Sequence, residues 1–254
     1  MQINNRRIEL DRHGEGEAML LVHGLGGTSN FWRPVVSAFS AQYSVIAPDL
    51  PSAGRSELDP QTSIESLAAD MLALLDGLEI ERAHLVGHSM GTIVCQHMAA
   101  RAPERVTDMV LLGPLAEPPD AARTAIKARA DAARAEGMTG IADVIADVAL
   151  AAATKSGNPN AQGFVREMLL RQPPEGYALS CEALAQAAQA KPETIKCRSL
   201  LITGDEDAVA PEANVRKLAG QLEQSEMQVL SSCGHWTLTE QPAAVVGAMQ
   251  SFYS

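Results

Sequence analysis

The sequence predicts an α/β protein in which a mostly parallel sheet is flanked by helices. Short apolar runs alternate with segments whose apolar residues recur at helical spacing, a pattern typical of strands joined by crossover helices. The alternation stops near Pro114 and resumes near Ile195, with an alanine-rich stretch between them. A chain of 254 residues can bury one sizeable core. We therefore expect an α/β core that is interrupted by a helical insertion.

The core strands are indicated by short apolar runs that end at proline, glycine or polar residues. The run MLLV is followed by a glycine-rich loop, and the run YSVIA ends at Pro48, which cannot extend the ladder. The predicted strands are residues 19–22, 43–47, 83–86, 106–112, 199–203 and 226–230.

The core helices are indicated by residues that favour helix ends on either side of an apolar periodicity. Thr28 or Ser29 caps the first helix, which runs to about Ser40. Ser63 caps the second, which Gly77 closes. The remaining predicted core helices are residues 92–101, 211–222 and 243–252.

The interruption, residues 115–195, contains no convincing strand and fits four helical patterns. The first opens at residues 118–120 and ends at Gly137, because proline is favoured at the start of a helix and glycine after its end. Apolar stripes mark the other three, near residues 141–148, 164–169 and 177–188. The predicted organisation is a core of residues 1–114 and 196–254 with a helical cap of residues 115–195.

Composition excludes several classes of partner. The net charge of −11 argues against a nucleic acid or an anionic membrane, since both require basic patches. No apolar run is long enough for a transmembrane helix, and the first residues lack the apolar stretch of a secretory signal. The four cysteines show no metal-ligand spacing, so we expect reduced thiols in the cytoplasm and no metal site. The sequence allows a homodimer without indicating one.

Residues 87–91, GHSMG, match the pattern G-x-S-x-G between a predicted strand and a predicted helix. In that context the pattern predicts a sharp turn that exposes the Ser89 hydroxyl above the sheet. The backbone N–H of Met90 would then point toward an oxyanion that develops when Ser89 attacks a carbonyl carbon.

A serine nucleophile requires a histidine base that is held by a carboxylate. Asp207 and His235 follow the last two predicted strands, so both belong to the sheet edge that carries Ser89. Asp205 is the nearest rival acid and is expected to shape the turn instead. Glu117, which follows the strand at 106–112, is a weaker rival.

These residues resemble the α/β-hydrolase family over nearly the whole chain. Residues 23–27 (HGLGG) are similar to its HGxGG loop, and residues 49–56 (DLPSAGRS) to its D-x-x-G-x-G-x-S stretch, with Ser52 and its neighbour where a glycine is expected. Residues 204–211 are similar to the acid loop of the family, and residues 234–235 to its histidine loop. The resemblance implies an α/β-hydrolase fold whose inserted helical cap roofs the pocket.

The resemblance also implies that the backbone N–H groups of Leu25 and Met90 form the oxyanion hole. Within the family the chain is most similar to the 3-oxoadipate (β-ketoadipate) enol-lactonases and related small esterases. Those lactonases usually have another residue before the nucleophile and a second glycine after it, where this chain has His88 and Thr92. The similarity is carried by residues 72–84, 99–106 and 174–183.

Five large side chains are candidates for the substrate pocket, with core packing as the alternative: Trp32, Phe164, Met168, Tyr177 and Trp236. Trp236 is the best of them because it adjoins the histidine loop. We expect His88 to pack away from the nucleophile and His23 to shape the oxyanion loop by hydrogen bonding. Arg166 and Arg171 are expected on a solvated face, with binding of a substrate carboxylate as the alternative.

The residues and the resemblance together predict a serine hydrolase that cleaves a small carboxylic ester or lactone without a cofactor. An enol-lactone is the first specific substrate to consider. A C–C bond hydrolase and an acyltransferase or perhydrolase on the same triad are the alternatives. A non-catalytic ligand receptor on the same fold is the alternative from a different class.

The spacing of the acid loop predicts that Asp207→Asn lowers ester hydrolysis far more than Asp205→Asn does. A carboxylate is needed to hold the His235 imidazole in the tautomer that accepts a proton from Ser89. The measurement is kcat/KM for one activated ester with both variants. Equal losses, or a larger loss in Asp205→Asn, would refute the assignment.

Overall fold

A computed structural model describes all 254 residues of the chain, and it contains nine strands. The first three are short and largely polar, whereas the others carry the apolar runs. The strands are β1 (Gln2–Ile3), β2 (Arg6–Arg7), β3 (Leu10–His13), β4 (Glu17–Val22), β5 (Tyr43–Pro48), β6 (Ala83–His88), β7 (Val106–Leu112), β8 (Arg198–Gly204) and β9 (Ser225–Leu230).

Seven of these strands form one sheet in the order β3-β5-β4-β6-β7-β8-β9, and β1 pairs with β2 in a separate antiparallel pair. Every pairing in the large sheet is parallel except that of β3 with β5. The carboxyl ends of β4, β6, β8 and β9 therefore meet at one edge. The predicted α/β class with a mostly parallel sheet is confirmed.

Eleven α-helices connect and cover the strands. Ser63 caps the second of them through a reciprocal pair of hydrogen bonds with Ser66, which satisfies two backbone donors at the helix start. The helices are α1 (Arg33–Phe39), α2 (Ile64–Gly77), α3 (Met90–Arg101), α4 (Asp120–Glu136), α5 (Thr139–Val148), α6 (Ala152–Gly157), α7 (Pro159–Leu170), α8 (Pro174–Gln186), α9 (Glu212–Ala219), α10 (Thr237–Glu240) and α11 (Pro242–Tyr253).

The structure differs from the sequence prediction where elements are short or polar. The predicted set omitted β1, β2 and β3, because their sequences do not alternate in hydrophobicity. Residues 115–195 hold five α-helices rather than four, since the short α6 has no apolar stripe. The first predicted helix begins as a 3₁₀ turn at Ser29–Trp32 and becomes α1 at Arg33.

The segment from α4 to α8 lies between β7 and β8 in the chain and over the carboxyl edge of the sheet. Within it α4 packs on α8, and α5 packs on α7. Gln172, which is buried, donates from Nε2 to the carbonyls of Gly26 and Gly27 at 3.1 Å, and its Oε1 accepts from the backbone N–H of Gly54 at 3.1 Å. The segment is therefore bonded to the loops that follow β4 and β5. Its role as a cap stays a prediction.

One continuous cluster of buried apolar side chains packs both faces of the sheet and extends into the helical segment. β4, β6 and β7 are buried along almost their whole length, as expected of central parallel strands. None of the helices combines the length and apolar character needed to cross a membrane.

Close backbone approach at the β6–α3 turn requires glycine at two positions. A Cβ added to Gly91 would lie 2.1 Å from the carbonyl oxygen of Val22 on β4. A Cβ on Gly87 would lie 2.8 Å from the carbonyl oxygen of Gly91. The two glycines of the G-x-S-x-G pattern thus allow α3 to start directly against the sheet.

This packing predicts that Gly91→Ala lowers the free energy of unfolding by at least about 2 kcal/mol, since the backbone of β4 would have to move. Gly247→Ala is the matched control, because Gly247 lies inside α11 with no atom within 4 Å of an added Cβ. It should raise stability by about 0.5–1 kcal/mol. Urea unfolding measures both, and a Gly91→Ala variant as stable as the parent would contradict the packing argument.

Candidate active site

Ser89 lies in a strained turn between β6 and α3. Its backbone has φ 50° and ψ −119°, a left-handed conformation that residues other than glycine rarely adopt. A Cβ added to Gly24 would lie 2.8 Å from the Ser89 Cβ, so the loop after β4 passes directly beside the serine. The strain holds the hydroxyl above the sheet edge, as the sequence context predicts for a nucleophile elbow.

A chain of two hydrogen bonds joins Ser89, His235 and Asp207. The Ser89 hydroxyl lies 2.8 Å from His235 Nε2, and His235 Nδ1 lies 2.8 Å from Asp207 Oδ2. All three residues are buried. With Nδ1–H donating to the carboxylate, Nε2 is free to accept the serine proton, which is the arrangement that a general base requires.

Asp207 is held as a carboxylate by its surroundings. Its Oδ1 accepts hydrogen bonds from the backbone N–H groups of Val209 at 2.8 Å and Ala210 at 2.7 Å. Burial raises the pKa of Asp207, but the charge and hydrogen bond of His235 and the two backbone bonds outweigh it, so the pKa lies below its ordinary value. Asp207 is therefore ionised at neutral pH.

The two rival acids lie elsewhere. Asp205 is exposed, and its Oδ1 accepts from the backbone N–H of Cys233 at 3.2 Å, which ties the acid loop to the histidine loop. Glu117 forms an exposed ion pair with Arg123 at 3.1 Å. Neither carboxylate contacts His235.

Two backbone N–H groups near Ser89, those of Met90 and Leu25, have no hydrogen-bond partner within the protein. Met90 is the first residue of α3, so its N–H has no acceptor within the helix. The N–H of Leu25 takes part in no backbone hydrogen bond. His23 holds the Leu25 loop, because its Nδ1–H donates to the Gly24 carbonyl at 2.8 Å and its Nε2 accepts from the Leu50 N–H at 2.9 Å.

Thr92, which stands where related lactonases usually have glycine, anchors the turn. Its hydroxyl donates to the Ser89 carbonyl at 2.6 Å and accepts from the Leu115 N–H at 3.0 Å. Gln96 donates to the carbonyls of Thr92 and Leu115 at 2.9 and 2.8 Å. The loop after β7 is thereby fixed to the first turn of α3.

Ser52 resolves the register of residues 49–56. It occupies the position of the expected glycine and adopts a left-handed φ of 66°. The Asp49 carboxylate accepts from the backbone N–H groups of Ser29 at 2.7 Å and Arg55 at 3.0 Å, so it joins this stretch to the start of the first helical turn. Despite its burial, the pKa of Asp49 lies below its ordinary value because of these hydrogen bonds.

The helical segment also contacts the histidine loop. The N–H of His235 donates to the Ala149 carbonyl at 2.9 Å. Glu240 accepts from the Ala151 N–H and the Thr154 hydroxyl, both at 2.8 Å, and from the Trp236 N–H at 3.2 Å. The α5–α6 connection and the first turn of α6 are thus bonded directly to the histidine loop and to the short helix that follows it.

A cavity of about 330 Å³ opens above Ser89, between the sheet edge and the helical segment. Its walls are mostly apolar, and it has no acidic residue in its lining. The lining residues are Leu25, His88, Ser89, Leu115, Pro118, Pro119, Ala122, Ala125, Ile126, Arg129, Ile145, Val148, Ala149, Leu169, Tyr177, Leu184, Ala208, Val209, His235 and Trp236.

Two of the five predicted pocket side chains, Tyr177 and Trp236, lie on this cavity, and three do not. Trp32 is fully buried against Phe31, with ring centroids 4.8 Å apart, and packs in the core instead. Phe164 and Met168 face a separate surface cleft, because α7 turns that side away from Ser89. The expectation that Trp32, Phe164 and Met168 line the pocket is corrected.

Arg166 and Arg171 also lie away from the cavity. Arg166 pairs with Asp143 at 2.5 Å, and Arg171 pairs with Glu167 at 3.1 Å on the same helical turn. Both are on the solvated surface, as expected, and not at a position where they could bind a substrate carboxylate in the cavity.

The sequence analysis missed the wall that α4 contributes. Ala122, Ile126 and Arg129 recur there at spacings of four and three, the periodicity of one helix face. That stripe was visible in the sequence, but alanines at this spacing are equally typical of helix packing. No group of three histidine, cysteine or acidic side chains is arranged to hold a metal ion.

Comparison with known proteins decides the family. The sequence profile described as the alpha/beta hydrolase family matches residues 19–248. The chain belongs to the alpha/beta hydrolase family. The predicted resemblance is confirmed, and the confirmed fold is that of an α/β-hydrolase.

Relatives of this α/β-hydrolase are named for different substrates. It is 30% identical to 3-oxoadipate enol-lactonase 2 of Acinetobacter baylyi, over 92% of this chain and 87% of the relative. The chain is 29% identical to a 2-hydroxy-6-oxononadienedioate/2-hydroxy-6-oxononatrienedioate hydrolase of Comamonas testosteroni, over 94% of this chain and 88% of that relative. The solved structure of a malate-bound esterase from Thermogutta terrifontis superimposes with a TM-score of 0.93. It is 26% identical to this protein over 98% of this chain and 93% of that chain.

His88 in this α/β-hydrolase is a buried neutral imidazole. Its Nε2–H donates to the His235 carbonyl at 3.0 Å, and its ring packs at a tilt against Phe31 and Trp236, with centroid distances of 4.6 and 5.0 Å. Burial, followed by the charge of nearby His235, lowers the pKa of His88 to about 3. His88 therefore lines the cavity without titrating at neutral pH, and it positions the backbone of His235.

This low pKa predicts an acid-sensitive contribution to stability. In the unfolded chain His88 takes up a proton as pH falls through its ordinary pKa of 6.5, but the folded chain does so only near pH 3. The contribution of neutral His88 to the free energy of unfolding is therefore lost as pH falls below 6.5. Between pH 7 and pH 5 this loss is about 2 kcal/mol. His88→Gln keeps a donor for the His235 carbonyl but cannot titrate. Urea unfolding at both pH values should show a loss about 2 kcal/mol smaller in the variant. An unchanged loss would contradict the assigned protonation state.

Proposed function

We propose that this α/β-hydrolase is a serine hydrolase that cleaves a small carboxylic ester or lactone through an acyl-enzyme intermediate. The observation that carries the proposal is the hydrogen-bonded chain Ser89–His235–Asp207 at the floor of an apolar cavity. A buried serine, histidine and ionised carboxylate in this order of contact is the constellation needed to activate a hydroxyl.

In the first proposed step the Ser89 oxygen bonds to the acyl carbon while its proton passes to His235 Nε2. Asp207 stabilises the imidazolium that forms, and the backbone N–H groups of Leu25 and Met90 donate to the oxyanion. When the tetrahedral intermediate collapses, the C–O bond to the leaving group breaks and His235 returns the proton to that oxygen. The products of this step are an alcohol or enol and the acyl-enzyme.

In the second proposed step water attacks the acyl carbon and gives its proton to His235. The second tetrahedral intermediate releases Ser89 as its oxygen regains the proton. The hydrolysis therefore balances with one water and no cofactor. For a lactone, both halves of the substrate leave as one hydroxy or keto acid.

The size and polarity of the cavity support small or medium acyl groups. A volume of about 330 Å³ lies at the lower end of the range for small-molecule sites. The enol-lactonase relative acts on a lactone, and the esterase neighbour acts on an ester, so both fit this chemistry. We propose that residues 115–195 act as the cap that limits water and substrate length at Ser89.

The alternative with a specific observation in its favour is C–C bond hydrolysis. The substrate in the name of the Comamonas relative contains no ester, so its hydrolysis must break a carbon–carbon bond. An acyltransferase or perhydrolase would differ only in the molecule that accepts the acyl group. A non-catalytic receptor would bind the same ligands without turnover. The cytoplasmic location and a homodimer remain predictions.

The proposal predicts that Ser89→Ala lowers ester hydrolysis by about 10³-fold or more. In the parent, turnover of p-nitrophenyl esters should be measurable for short acyl chains and fall steeply at long ones, because the cavity is small and enclosed by the helical segment. A simple lactone, an enol-lactone and a 2-hydroxy-6-oxo-dienoate are compared in the same assay.

A fluorophosphonate should label the parent at one residue and leave Ser89→Ala unlabelled. Labelling that persists in the variant would refute the nucleophile. Higher turnover of the dienoate than of every ester and lactone would favour the C–C hydrolase, and best activity on emulsified long-chain triglycerides would refute the pocket.

A further inference from the structure

Arg129 is the one permanently charged residue on the wall of the cavity above Ser89. It lies on α4, one turn beyond Ile126 on the same helix face, and the rest of the lining is apolar apart from serine, tyrosine, tryptophan and the two histidines. An arginine remains protonated at any pH at which the protein is folded.

Arg129 differs from the other arginines of the helical segment. The remaining four each form an ion pair: Arg123 with Glu117, Arg134 with Glu175 and Glu182, Arg166 with Asp143, and Arg171 with Glu167. Arg129, by contrast, has no acidic partner within 4.0 Å, and its polar neighbour is the Tyr177 hydroxyl. In a chain with a net charge of −11, a cation without an anion at a cavity wall is unusual.

The guanidinium lies on the side of α4 that faces α8. Burial raises the pKa of Tyr177 and of Cys181, and the positive charge of Arg129 opposes that rise at both. Tyr177 and Cys181 are one turn apart on α8, which packs against α4. Arg129 also borders a groove on the outer surface, so it is half-buried and keeps part of its hydration.

We propose that Arg129 binds a carboxylate of the substrate, with the Tyr177 hydroxyl as a second donor beside it. This subsite rests on the proposed function. It assigns the substrate class as an ester or lactone that carries a free carboxylate away from the reacting carbonyl. The fork of N–H donors in a guanidinium matches the two oxygens of a carboxylate. An apolar wall between Arg129 and Ser89 then accommodates the carbon chain that joins the two groups.

The test compares two esters that differ only at the far end of the acyl chain, monoethyl glutarate and ethyl pentanoate. The parent should show the higher kcat/KM for monoethyl glutarate. Arg129→Met should lower that value by about 10- to 100-fold, the loss expected for one charge-assisted interaction. Hydrolysis of ethyl pentanoate should change by less than about twofold, because no part of it reaches Arg129.

Lys127→Met is the matched control, because it removes the same charge from an exposed position on the same helix and should alter neither ester. Arg129→Lys should restore part of the preference for monoethyl glutarate. Equal losses for both esters in Arg129→Met, or the same selective loss in Lys127→Met, would overturn the subsite. The subsite would also be overturned if the parent hydrolysed ethyl pentanoate and showed no preference for monoethyl glutarate. The proposed function would stand in that case.

Calorimetry with glutarate, the expected product, separates the two proposals if neither ester is hydrolysed. Absence of turnover would count against the proposed function. Binding of glutarate to the parent that is lost in Arg129→Met and kept in Lys127→Met would support the subsite by itself. Equal binding to the parent and to Arg129→Met, or no binding to the parent, would overturn it.

Discussion

The close contact between the β6–α3 turn and the loop after β4 determines where every proposed catalytic group lies. Ser89 is held at a φ of 50°, and an added Cβ at Gly91 would meet the Val22 carbonyl at 2.1 Å. This contact brings the loop that carries Leu25 directly beside the turn that carries Ser89 and Met90. His235 and Asp207 can reach Ser89 only because β8 and β9 end at the same edge of a parallel sheet. A looser turn would separate the nucleophile from groups that lie on three other loops.

The parts of the molecule that were predictable from sequence are those encoded locally. The central strands are continuous apolar runs, and the glycines beside Ser89 mark a backbone without room for a side chain. The choice of Asp207 over Asp205 followed from loop spacing. The structure supplies a physical reason for it, because Asp205 is exposed and bonded to the Cys233 N–H whereas Asp207 is buried against His235.

The walls of the cavity could not be predicted in the same way. A large apolar side chain on a helix has the same local pattern whether it faces the core, the substrate or solvent, so Trp32, Phe164 and Met168 were indistinguishable from Tyr177. The pairing of Arg134 and Arg166 and the lack of an acidic partner for Arg129 depend on residues that are distant in sequence and on how the helices pack against each other. The edge strand β3 has no apolar alternation, because only tertiary pairing with β5 makes it a strand.

The bond from the His235 N–H to the Ala149 carbonyl has a consequence for how the cavity fills and empties. Because that carbonyl and the Glu240 contacts join the α5–α6 region to the histidine loop, lifting the segment as a rigid body would displace the imidazole from Ser89. Val148 and Val209 also line the cavity, and their exposed fractions are 61% and 45%. Their side chains form no hydrogen bonds to the histidine loop. Exposed side chains such as these change rotamer on the picosecond to nanosecond timescale, and such changes break none of the bonds that hold His235. Exchange of ligand with solvent can then proceed while the base stays aligned, without waiting for a slower opening of the segment.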